Sequence, residues 1–533
     1  MAKSAYYITT AIDYTNAAPH IGHAYEKVLA DVIARYHRHC GREVFFLTGV
    51  DQHGQKVQQT AARQGTEPLP HVKRITALFL DLWKQLDIAY DGWIETTDEH
   101  HKTVVRDLLQ RLHDDGQIYK KCHRGHYSVR QEQFVTDRDR EADGSFGEQW
   151  GEVVEFEEDN YYFRLSDHVD WLRDYLERTA DVIFPGFRKA DVLNALAASE
   201  GTDLCISRPK DRLDWGIELP FDPDYVTFVW FDALTNYISG AGYRRELHTD
   251  ADLKLPDFDR LWPADAHVIG KDILVPAHAI YWMIMLHAAG FTDQQMPKFL
   301  VHGWWNIRGE KMSKTTGNIV DPVQLAQRYT TDGLRYYLMR DIVSGRDADF
   351  DESRLSMLYQ TELANEVGNL LNRTLNMAGR YRGAVVTAAT GFDDDLNASL
   401  RTAVESCQRA YHAHMEGHEL HAALEQVRAV TGAANRFAEQ AAPWKLAKDD
   451  TQAARLDSVL HHLAETLVHV AAWLQPFMPG SCGRMLDQLN AAALVPGLRD
   501  LVWGLLPDGH QLGKPDPLFP RLQLEDEDEG VSA

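Results

Sequence analysis

Strand and helix signals alternate through the first fifty residues, and this alternation restricts the fold more than any other feature of the sequence. Tyr6–Thr10 is β-branched and aromatic, which is typical of a strand, and a glycine-containing loop follows it. Apolar residues from Ala24 onward recur at helical spacing until Gly41 ends the pattern, and residues 44–48 form a second apolar run. A strand, a helix and a strand within about 45 residues predict a βαβ unit, the start of a doubly wound parallel sheet.

The rest of the chain contains two regions of different character. Residues 116–224 are rich in Asp, Glu, Arg and Gly and contain short aromatic runs, which indicates an insertion between two halves of the sheet. Strand signals resume at residues 226–230, 267–270 and 299–303. Beyond about residue 355 they largely vanish, and residues 456–474 carry apolar side chains at steps of one, three or four, as in a helix bundle.

These signals predict an α/β fold: a Rossmann-like doubly wound parallel sheet, split by an inserted α+β connective domain and followed by an all-α helix bundle. The acidic run at residues 525–529 is expected to be a solvated tail. The predicted boundaries, in chain order, are 1–115 for the first half of the nucleotide-binding domain, 116–224 for the connective insertion, 225–320 for the second half, 321–355 for a linker region, 356–515 for the helical domain and 516–533 for the acidic tail.

Charge and cysteine content restrict the classes of function. Lys and Arg total 55 and Asp and Glu total 79, so the net charge is −24, which argues against a protein that coats nucleic acid. The five cysteines form no C-x-x-C pair, so we expect reduced thiols and a cytoplasmic protein. No stretch reaches the ~20 apolar residues of a membrane span, so we expect no membrane association.

Two histidines flank a glycine at the predicted start of the first helix. His20, Gly22 and His23 belong to the sequence Pro-His-Ile-Gly-His in the loop after the first strand. A glycine lets the backbone approach a ligand, and imidazoles and helix-end N–H groups can donate hydrogen bonds to a phosphate. The alternative, that both are ordinary loop histidines, is left open by an H-x-G-H match alone.

A second polar segment reads Lys-Met-Ser-Lys-Thr at residues 311–315. Lys311 and Lys314 on a mobile loop can hold the β- and γ-phosphates of ATP and stabilise the leaving pyrophosphate. Alone, such a K-x-x-K pair is usually a solvated surface feature. The two motifs in this order, each beside a predicted strand, favour a nucleotide site.

At these residues the sequence resembles the class I aminoacyl-tRNA synthetases, whose HIGH and KMSKS motifs correspond to residues 20–23 and 311–315, with Thr315 in place of the final serine. The resemblance implies that an amino-acid carboxylate attacks the α-phosphate of ATP and that a tRNA 3′ hydroxyl then takes the aminoacyl group. Positioning and electrostatics supply most of the catalysis of such a displacement. The resemblance also implies that the enzyme uses ATP with Mg²⁺ and that His20, His23, Lys311 and Lys314 are catalytic. The implied ATP-binding residues are Gly22, Gly270, Asp272, His302, Met312, Ser313 and Thr315.

The local sequence around Asp272 also indicates a role for this residue. It follows the predicted strand at residues 267–270, and a carboxylate at the carboxyl end of a strand can bind ribose hydroxyls. A helix-capping aspartate fits the same position equally well. The resemblance favours the nucleotide.

Residues 11–14, 49–54, 229–237 and 270–282 resemble the methionyl-tRNA synthetase family. The resemblance implies that Asp51 pairs with the substrate ammonium and that an aromatic, uncharged pocket receives the thioether, which is flexible and packs well on ring faces. Each aromatic residue alone would more often be core, and the order of the motifs favours the pocket. The implied methionine-binding residues are Ala11, Ile12, Tyr14, Asp51, Trp230, Ala233, Leu234, Tyr237, Ile273, His278 and Trp282.

The sequence departs from the pattern of that family in three places. Asp13 and Leu234 stand where proline is common. His278 lies five residues after Ile273 where four are expected, which indicates a one-residue insertion. His278 and Trp282 keep an i, i+4 relation, so we expect both side chains on one helix face.

The insertion lacks the cysteines with which many methionyl enzymes bind zinc. Ser128 and Gln131 stand where cysteines are expected, and Cys122, His123 and His126 are the nearby soft ligands. A closed tetrahedral site needs four ligands, and no second pair is evident downstream. We therefore expect no structural zinc.

Three residues of the helical half carry the resemblance to a tRNA-binding domain. Asn369 and Arg373 share a helix face, and Trp444 follows a proline. Unpaired bases are read by stacking on aromatics and by hydrogen bonds to their edges. The resemblance implies that these residues read the anticodon of tRNA(Met), including initiator tRNA, with residues 356–515 as the anticodon-binding domain and 321–355 as a stem-contact region. The alternative is that Trp444 is bundle core and that Asn369 and Arg373 cap neighbouring helices.

Because the chain stops soon after the predicted bundle, we expect a monomer. Among rival interpretations, relatives in the same class that charge leucine, isoleucine or valine carry an editing insertion longer than residues 116–224 allow, and the cysteine enzyme needs zinc thiolates. A small nucleotidyltransferase needs neither the second motif nor a helical RNA-binding half. A tRNA-binding paralogue with a dead site would not need the motif histidines and lysines. The resemblance spans about residues 5–510 and favours the methionyl family.

Overall fold

The structure is a computed structural model, and it describes residues 3–128, 130, 133–135, 139–141, 143–198, 201–248, 253–307, 310–311, 320–388 and 394–520. Contacts divide the chain into two compact units. As far as they are described, unit 1 comprises Met1–Ala18, Phe45–Leu80 and Tyr90–Val301, and unit 2 comprises Pro19–Val44, Asp81–Ala89 and His302–Ala533. Each unit is therefore assembled from segments that are distant in the sequence.

A seven-stranded sheet organises unit 1. The prediction of a doubly wound parallel sheet is confirmed: Ile8 lies opposite Ala266 and Gly49 opposite Ile94, both in parallel pairs. The spatial order reverses between Tyr6–Thr10 and Ala266–Gly270, and ligands of such sheets bind outside the carboxyl ends of the strands at this point. In spatial order the strands are Asp13–Tyr14, Val44–Asp51, Tyr6–Thr10, Ala266–Gly270, Phe299–His302 and Ile183–Phe184, and Gly92–Glu95 pairs with Val44–Asp51.

Helices of unit 1 supply the apolar side chains that cover the sheet. Val104 and Leu108 of one helix and Phe231 and Ile238 of another belong to a single buried apolar cluster. Leu274–Trp282 is a π-helical segment with a non-helical kink at Val275, and the remaining segments below are α-helices. The helices that begin in this unit are Gln55–Arg63, Pro68–Gln85, Glu99–Asp114, Val169–Arg178, Arg188–Ala198, Trp230–Ser239, Phe258–Leu261, Lys271–Ile273, Leu274–Trp282 and Met283–Ala288.

The region predicted as an insertion forms antiparallel sheets of its own. Ile118–Ser128 pairs along its whole length with Val153–Phe163, and Gln133–Val135 and Leu204–Cys205 complete a four-stranded sheet. A three-stranded sheet follows, with Asp222–Thr227 between its edge strands Ser207–Pro209 and Glu218–Leu219. One short strand inside the same region, Ile183–Phe184, instead joins the parallel sheet, beside Phe299–His302.

The strand expected at residues 226–230 ends earlier than predicted. The strand is Asp222–Thr227, and the helix Trp230–Ser239 begins three residues later. Val229 lies between them with a φ of 54°, in the left-handed region that a β-branched residue rarely adopts. The helix places Trp230, Ala233, Leu234 and Tyr237 at i, i+3, i+4 and i+7, so these side chains share one face.

Unit 2 is mainly helical and contains the predicted bundle. The apolar residues at 456–474 lie in the helix Ala453–Leu474, which is buried on nearly all sides, so the helix predicted there is confirmed. Two small sheets also occur: Trp305–Ile307 pairs with Glu310–Lys311 and Ala348–Asp349, and Val385–Val386 pairs with His510–Gln511. Its main helices are Ile21–His39, Pro322–Tyr329, Thr331–Arg340, Glu352–Leu358, the π-helix Tyr359–Gly368, Asn369–Arg382, Asp395–Glu416, Leu420–Ala441, Pro443–Leu446, Ala453–Leu474 and Pro479–Gln488.

A buried arginine joins three separate segments of unit 2. Arg335 Nη2 lies 2.6 Å from Asp31 Oδ2, and both side chains are fully buried. The same guanidinium donates to the carbonyls of Leu86, Pro476 and Phe477 at 3.0, 3.1 and 2.9 Å. Five donors in a rigid fork suit this position, and Lys could not satisfy the same partners.

Among the described helices, none combines the length and the apolar composition that crossing a membrane requires.

Candidate active site

The first motif caps the helix Ile21–His39. His20 is the N-cap residue, and its Nδ1 accepts the Gly22 N–H at 3.0 Å. His23 Nδ1 accepts the His20 N–H at 3.1 Å, and the two ring centroids are 3.9 Å apart. Because both Nδ1 atoms act as acceptors, each neutral ring carries its proton on Nε2. That tautomer makes each Nε2–H a donor, which is the chemistry that a phosphate oxygen requires.

Gly22 leaves the space in which the His20 ring lies. A Cβ atom at this position would be 2.9 Å from His20 Cε1 and 3.0 Å from His20 Nδ1. Such a distance is shorter than real Cβ contacts allow. The ring can therefore lie over residue 22 only while that residue is glycine.

The chain on both sides of the second motif contacts the helix of the first. Ile21 N–H donates to the carbonyl of Val320 at 3.3 Å, and the Tyr25 ring centroid lies 5.9 Å from that of Trp305. Lys311 ends the short strand Glu310–Lys311, which pairs with Trp305–Ile307. Met312, Ser313, Lys314 and Thr315 lie outside the described residues.

A buried ionic cluster includes two residues of the second turn of this helix. Glu26 lies 3.0 Å from His302 Nε2 and 2.9 Å from Lys27 Nζ. Burial acts to raise the pKa of Glu26, but Lys27 and His302 outweigh it and the pKa is lowered, so Glu26 is ionised. His302 Nδ1 also donates to the carbonyl of Gly303 at 2.8 Å. Both ring nitrogens of His302 therefore face oxygen acceptors, an arrangement that a positively charged ring satisfies.

A cavity of about 550 Å³ opens at the carboxyl ends of the central strands of unit 1. It lies where Tyr6–Thr10 and Val44–Asp51 end, which is where the doubly wound topology places a ligand. Ten of the eleven predicted methionine-binding residues line it: Ala11, Ile12, Tyr14, Asp51, Trp230, Ala233, Leu234, Tyr237, Ile273 and His278.

Trp282 is the predicted pocket residue that does not line this cavity. Its side chain is fully buried, and its indole N–H donates to His267 Nε2 at 3.4 Å. Its ring centroid is 5.9 Å from that of Tyr237. Trp282 therefore lies behind Tyr237 and supports the cavity wall from the core.

One wall of the cavity is a hydrogen-bonded pair of rings. His278 Nδ1 donates to the carbonyl of Ile273 at 2.8 Å, so its Nε2 accepts the hydroxyl proton of Tyr237 at 2.7 Å. This leaves both rings neutral, and the Tyr237 hydroxyl proton is committed to His278. The pair presents ring faces and an oxygen lone pair to the cavity, an uncharged surface that suits an unbranched thioether.

Asp51 supplies a carboxylate to the lining of the same cavity. Its Oδ1 accepts the His53 N–H at 3.2 Å and the Thr96 hydroxyl at 3.4 Å. Burial and the negative charge of Asp232 raise the pKa of Asp51 to about 7. A cationic group bound beside Asp51 would restore its ionised form, so the lining at Asp51 suits an ammonium.

Asp232, which also lines the cavity, is held by two histidines. Its Oδ2 lies 2.6 Å from His53 Nδ1 and its Oδ1 lies 3.0 Å from His101 Nε2. Burial acts to raise the pKa of Asp232, but His53 and His101 outweigh it and lower the pKa to about 2. Asp232 occurs in one of the sequence stretches that indicated the pocket, but sequence reasoning gave it no role.

Asn236 was also missed. It is buried one helical turn after Asp232, lines the cavity, and donates to the carbonyl of Ala233 at 2.6 Å. No described residue donates a hydrogen bond to its Oδ1. A buried acceptor without a protein partner is usually satisfied by a ligand or by water.

The predicted ribose-binding residues lie at the end of the next strand. Gly270 ends Ala266–Gly270 and is the N-cap residue of the short helix Lys271–Ile273. Asp272 is exposed in that helix. Both belong to unit 1 and lie at the carboxyl edge of the same parallel sheet as Asp51.

The predicted anticodon residues come together in unit 2. Asn369 and Arg373 lie on the helix Asn369–Arg382, and Trp444 is half-buried in Pro443–Leu446. The Arg373 guanidinium lies 5.8 Å from the Trp444 ring centroid, and its Nη2 is 2.7 Å from Glu439 Oε1. A guanidinium over an indole, with an exposed amide nearby, forms a surface that can stack and hydrogen-bond an unpaired base.

The described residues contain no group of three or more His, Cys, Asp or Glu side chains placed to hold a metal ion. Cys122 is exposed and lies 3.6 Å from Glu157. His126 Nε2 lies 2.7 Å from Arg140. Gln131 and the side chain of His123 lie outside the described part of the chain.

Comparison with known proteins gives consistent results. The chain matches the family model "tRNA synthetases class I (M)" over residues 6–145 and 148–375, and the model "Anticodon binding domain of methionyl tRNA ligase" over residues 387–531. A methionine--tRNA ligase of Caldanaerobacter subterraneus is 38% identical over 526 residues, which cover 98% of this chain and 80% of that protein. The methionine--tRNA ligase of Bacillus subtilis is 38% identical over 538 residues, covering 98% and 79%.

Solved structures agree with the sequence relatives. Mycobacterium tuberculosis methionyl-tRNA synthetase in complex with methionyl-adenylate has a TM-score of 0.89 and 37% identity, covering 98% of this chain and 100% of that one. The apo form of that enzyme has a TM-score of 0.83 and 35% identity, covering 98% and 99%.

Proposed function

This chain belongs to the methionyl-tRNA synthetase family of class I aminoacyl-tRNA synthetases, and we propose from that premise how its residues divide the work. It is a methionine--tRNA ligase: it activates methionine with ATP to methionyl-adenylate and transfers methionine to tRNA. The observation that carries the assignment of its site is one cavity whose lining combines the Asp51 carboxylate with the neutral Tyr237–His278 pair.

We propose that this cavity is the methionine site. Asp51 pairs with the α-ammonium, and the apolar residues and Trp230 enclose the side chain. The thioether packs against ring faces, and the hydrogen bond from Tyr237 to His278 keeps a charged group out of that wall. Trp282 acts from behind, through the position of Tyr237.

The proposed ATP site uses both motifs. The Nε2–H groups of His20 and His23 donate to phosphate oxygens, and Gly22 gives them room. Lys311 and Lys314 neutralise the leaving pyrophosphate, and Met312, Ser313 and Thr315 complete that loop; this part of the proposal rests on the sequence. The reaction is an in-line displacement, so preorganised donors and cations supply most of its acceleration.

Other groups support the nucleotide. Gly270 and Asp272 are proposed to bind the adenosine, with Asp272 on the ribose hydroxyls. His302, hydrogen-bonded to the Glu26 carboxylate, lies next to the helix of the first motif and is proposed to contact the nucleotide. Mg²⁺ enters with ATP as the counterion of its phosphates.

The helical half is proposed to read the anticodon. Trp444 stacks on a base, and Asn369 and Arg373 donate to base edges, with Glu439 fixing the guanidinium. In this proposal residues 356–515 form the anticodon-binding domain, 321–355 contact the tRNA stem, and 116–224 form the connective insertion between catalytic segments 1–115 and 225–320. The substrates include initiator tRNA as well as elongator tRNA(Met).

We further propose that the enzyme is a cytoplasmic monomer without structural zinc. Light scattering measures whether the enzyme is a monomer, and elemental analysis of the purified protein measures its zinc content. One zinc per chain would contradict the proposal for the insertion.

ATP–pyrophosphate exchange tests the assignment of the cavity. Methionine is expected to support exchange far better than the other nineteen amino acids, because the neutral Tyr237–His278 pair presents ring faces that suit a thioether. Asp51→Asn is expected to raise the KM for methionine while leaving the KM for ATP within twofold. An unchanged methionine KM in this variant would remove Asp51 from the ammonium site.

A further inference from the structure

A line of buried polar side chains extends from the cavity into the core behind Asp51. Asp232 lies between His53 and His101, and His101 Nδ1 lies 2.8 Å from Ser239 Oγ. His101 and Ser239 are fully buried. The connection brings together the strand-end loop at residue 53, the helix Glu99–Asp114 and the helix Trp230–Ser239, all within unit 1.

The hydrogen bonds assign the protons along this line. A carboxylate is an acceptor only, so His53 Nδ1 and His101 Nε2 both donate to Asp232. The Ser239 hydroxyl has one proton, and its 2.8 Å contact with His101 Nδ1 is much shorter than its 3.4 Å contact with the carbonyl of Asn236. Ser239 therefore donates to His101, whose ring is satisfied in its neutral form. Asp232 thus receives two donors and keeps its negative charge.

Asp51 and Asp232 form a pair of unlike carboxylates in one cavity. The pKa of Asp232 is held at about 2, whereas burial and the charge of Asp232 raise the pKa of Asp51 to about 7. Neighbouring carboxylates whose pKa values are driven apart are typical of functional sites. Asp232 is therefore always negatively charged, whereas Asp51 becomes charged when a bound cation or a higher pH favours its ionised form.

Other titratable groups also line the cavity. His278 is held neutral by its bonds to Ile273 and Tyr237, and His53 donates to Asp232. The remaining lining groups of this kind are Tyr14, Lys56, Asp203, Cys205, Arg208 and Tyr281. Asp51 is the lining carboxylate whose pKa is raised to about 7, inside the range from pH 6 to pH 8.

We propose that Asp232, held on both sides by His53 and His101, is a positioning residue whose charge acts on Asp51, and that the two carboxylates together receive the α-ammonium of methionine. This proposal rests on the assignment of the cavity as the methionine site and deepens it. The ligand chemistry is a primary ammonium, with one positive charge shared by two carboxylates. His101 acts through Asp232, by keeping it ionised and in place, whereas the His53 side chain holds Asp232 and also favours the ionised form of Asp51.

The test is the pH dependence of the KM for methionine in ATP–pyrophosphate exchange, from pH 6 to pH 8. In the wild type, KM is expected to fall about tenfold over this range, because the ionised fraction of a carboxyl with a pKa near 7 rises from about a tenth to about nine tenths. Each variant is compared with the wild type as the ratio of its KM to the wild-type KM at the same pH.

Two substitutions are expected to change this ratio in opposite directions. Asp232→Asn removes the charge that raises the pKa of Asp51. The KM of this variant for methionine should therefore no longer fall as pH rises, and its ratio to the wild-type KM should rise up to about tenfold from pH 6 to pH 8. His53→Ala removes a donor that favours the ionised carboxylates, so Asp51 should ionise at higher pH. The fall in the KM for methionine should then occur at higher pH, and the ratio to the wild-type KM should decrease from pH 6 to pH 8. His53→Asn, whose amide can replace the Nδ1–H donor, is expected to restore a constant ratio.

Asp107→Asn is the matched control. Asp107 is a half-buried carboxylate of the same helix as His101 and pairs with Arg111 and Arg244, away from the cavity. Its ratio is expected to stay near one at every pH.

The outcomes separate the two levels of the proposal. If Asp232→Asn keeps a pH-independent ratio, or if its ratio and that of His53→Ala change in the same direction, Asp232 has a structural role only and the inference is wrong. Should Asp232→Asn fail to fold, as judged by its melting curve, the His53→Ala and His53→Asn pair decides the question by the same criterion. An unchanged methionine KM in Asp51→Asn would instead overturn the assignment of the cavity itself.

Discussion

Alanine in place of Gly22 tests whether the His20 ring acts on ATP. The added Cβ would lie 2.9 Å from His20 Cε1 and 3.0 Å from its Nδ1, so the ring must move. A side chain can rotate away at small cost, so the fold has no reason to fail. The displaced ring loses its hydrogen bond from the Gly22 N–H, and its Nε2–H no longer points where the helix cap places it.

Gly22→Ala is expected to lower activity strongly and to change stability little. Removing one preorganised donor from a transition state costs about 10²- to 10³-fold in kcat, or about 3–4 kcal/mol. For stability, Ala in place of a helical Gly contributes about 0.5–1 kcal/mol, and loss of an N-cap bond costs about 0.5–2 kcal/mol. These two contributions largely offset each other. We therefore expect a severe loss of activity with a nearly unchanged melting temperature.

ATP–pyrophosphate exchange at saturating methionine and ATP measures the first effect, and a thermal melt measures the second. Gly483→Ala is the control, because Gly483 also lies in a helix and a Cβ there meets nothing within 4 Å. The control should exchange at the wild-type rate. If Gly22→Ala folds normally and keeps more than a third of the wild-type exchange rate, the position of the His20 ring over Gly22 is not catalytic.

Four further predictions concern other parts of the molecule. Asp51→Asn should become more stable relative to the wild type as pH rises. Because the pKa of Asp51 is raised in the folded protein, the stability that its protonated carboxyl contributes is present at low pH and is lost as pH rises through about 7. Denaturant titrations at each pH should show the difference in free energy of unfolding growing by about 2–3 kcal/mol between pH 5 and pH 8. Trp444→Ala should cripple charging of tRNA(Met) with near-normal ATP–pyrophosphate exchange, and an equal loss in both assays would contradict an anticodon role. Arg335→Met leaves Asp31 buried beside Arg35 alone and should destabilise the protein by about 3 kcal/mol, measured by denaturation; a change below 1 kcal/mol would show that the buried pair adds little. Lys314→Ala should slow adenylate formation by about two to three orders of magnitude, and a near-normal exchange rate would remove Lys314 from the mechanism.

Local sequence patterns predicted the parts of the site that one element positions by itself. The strand Tyr6–Thr10 was predicted with its observed bounds, because β-branched and aromatic residues mark a buried strand. Trp230 and Tyr237 were predicted together because both belong to the stretch of residues 229–237 that resembles the family, and the helix Trp230–Ser239 places them on one face. His101 was not predicted, because it meets Asp232 across 131 positions of sequence, and nothing near residue 101 signals that partner. The Asp31–Arg335 pair, 304 positions apart, was missed for the same reason.

The segment after Gly270 shows how a departure in sequence can be absorbed by local geometry. The spacing from Ile273 to His278 indicated one inserted residue, and the segment Leu274–Trp282 is kinked between these two residues, because Val275 has non-helical φ and ψ of −121° and 128°. His278 consequently still faces the cavity, with its Nδ1 on the carbonyl of Ile273 and its Nε2 on Tyr237. His278 and Trp282 both lie against Tyr237, as their i, i+4 spacing indicated, because their ring centroids are 5.7 and 5.9 Å from that of Tyr237. Of the two, His278 lines the cavity, whereas the indole N–H of Trp282 donates to His267 Nε2 in the core. The extra residue therefore leaves the ring that hydrogen-bonds Tyr237 in the cavity wall, and Trp282 supports the same ring from behind.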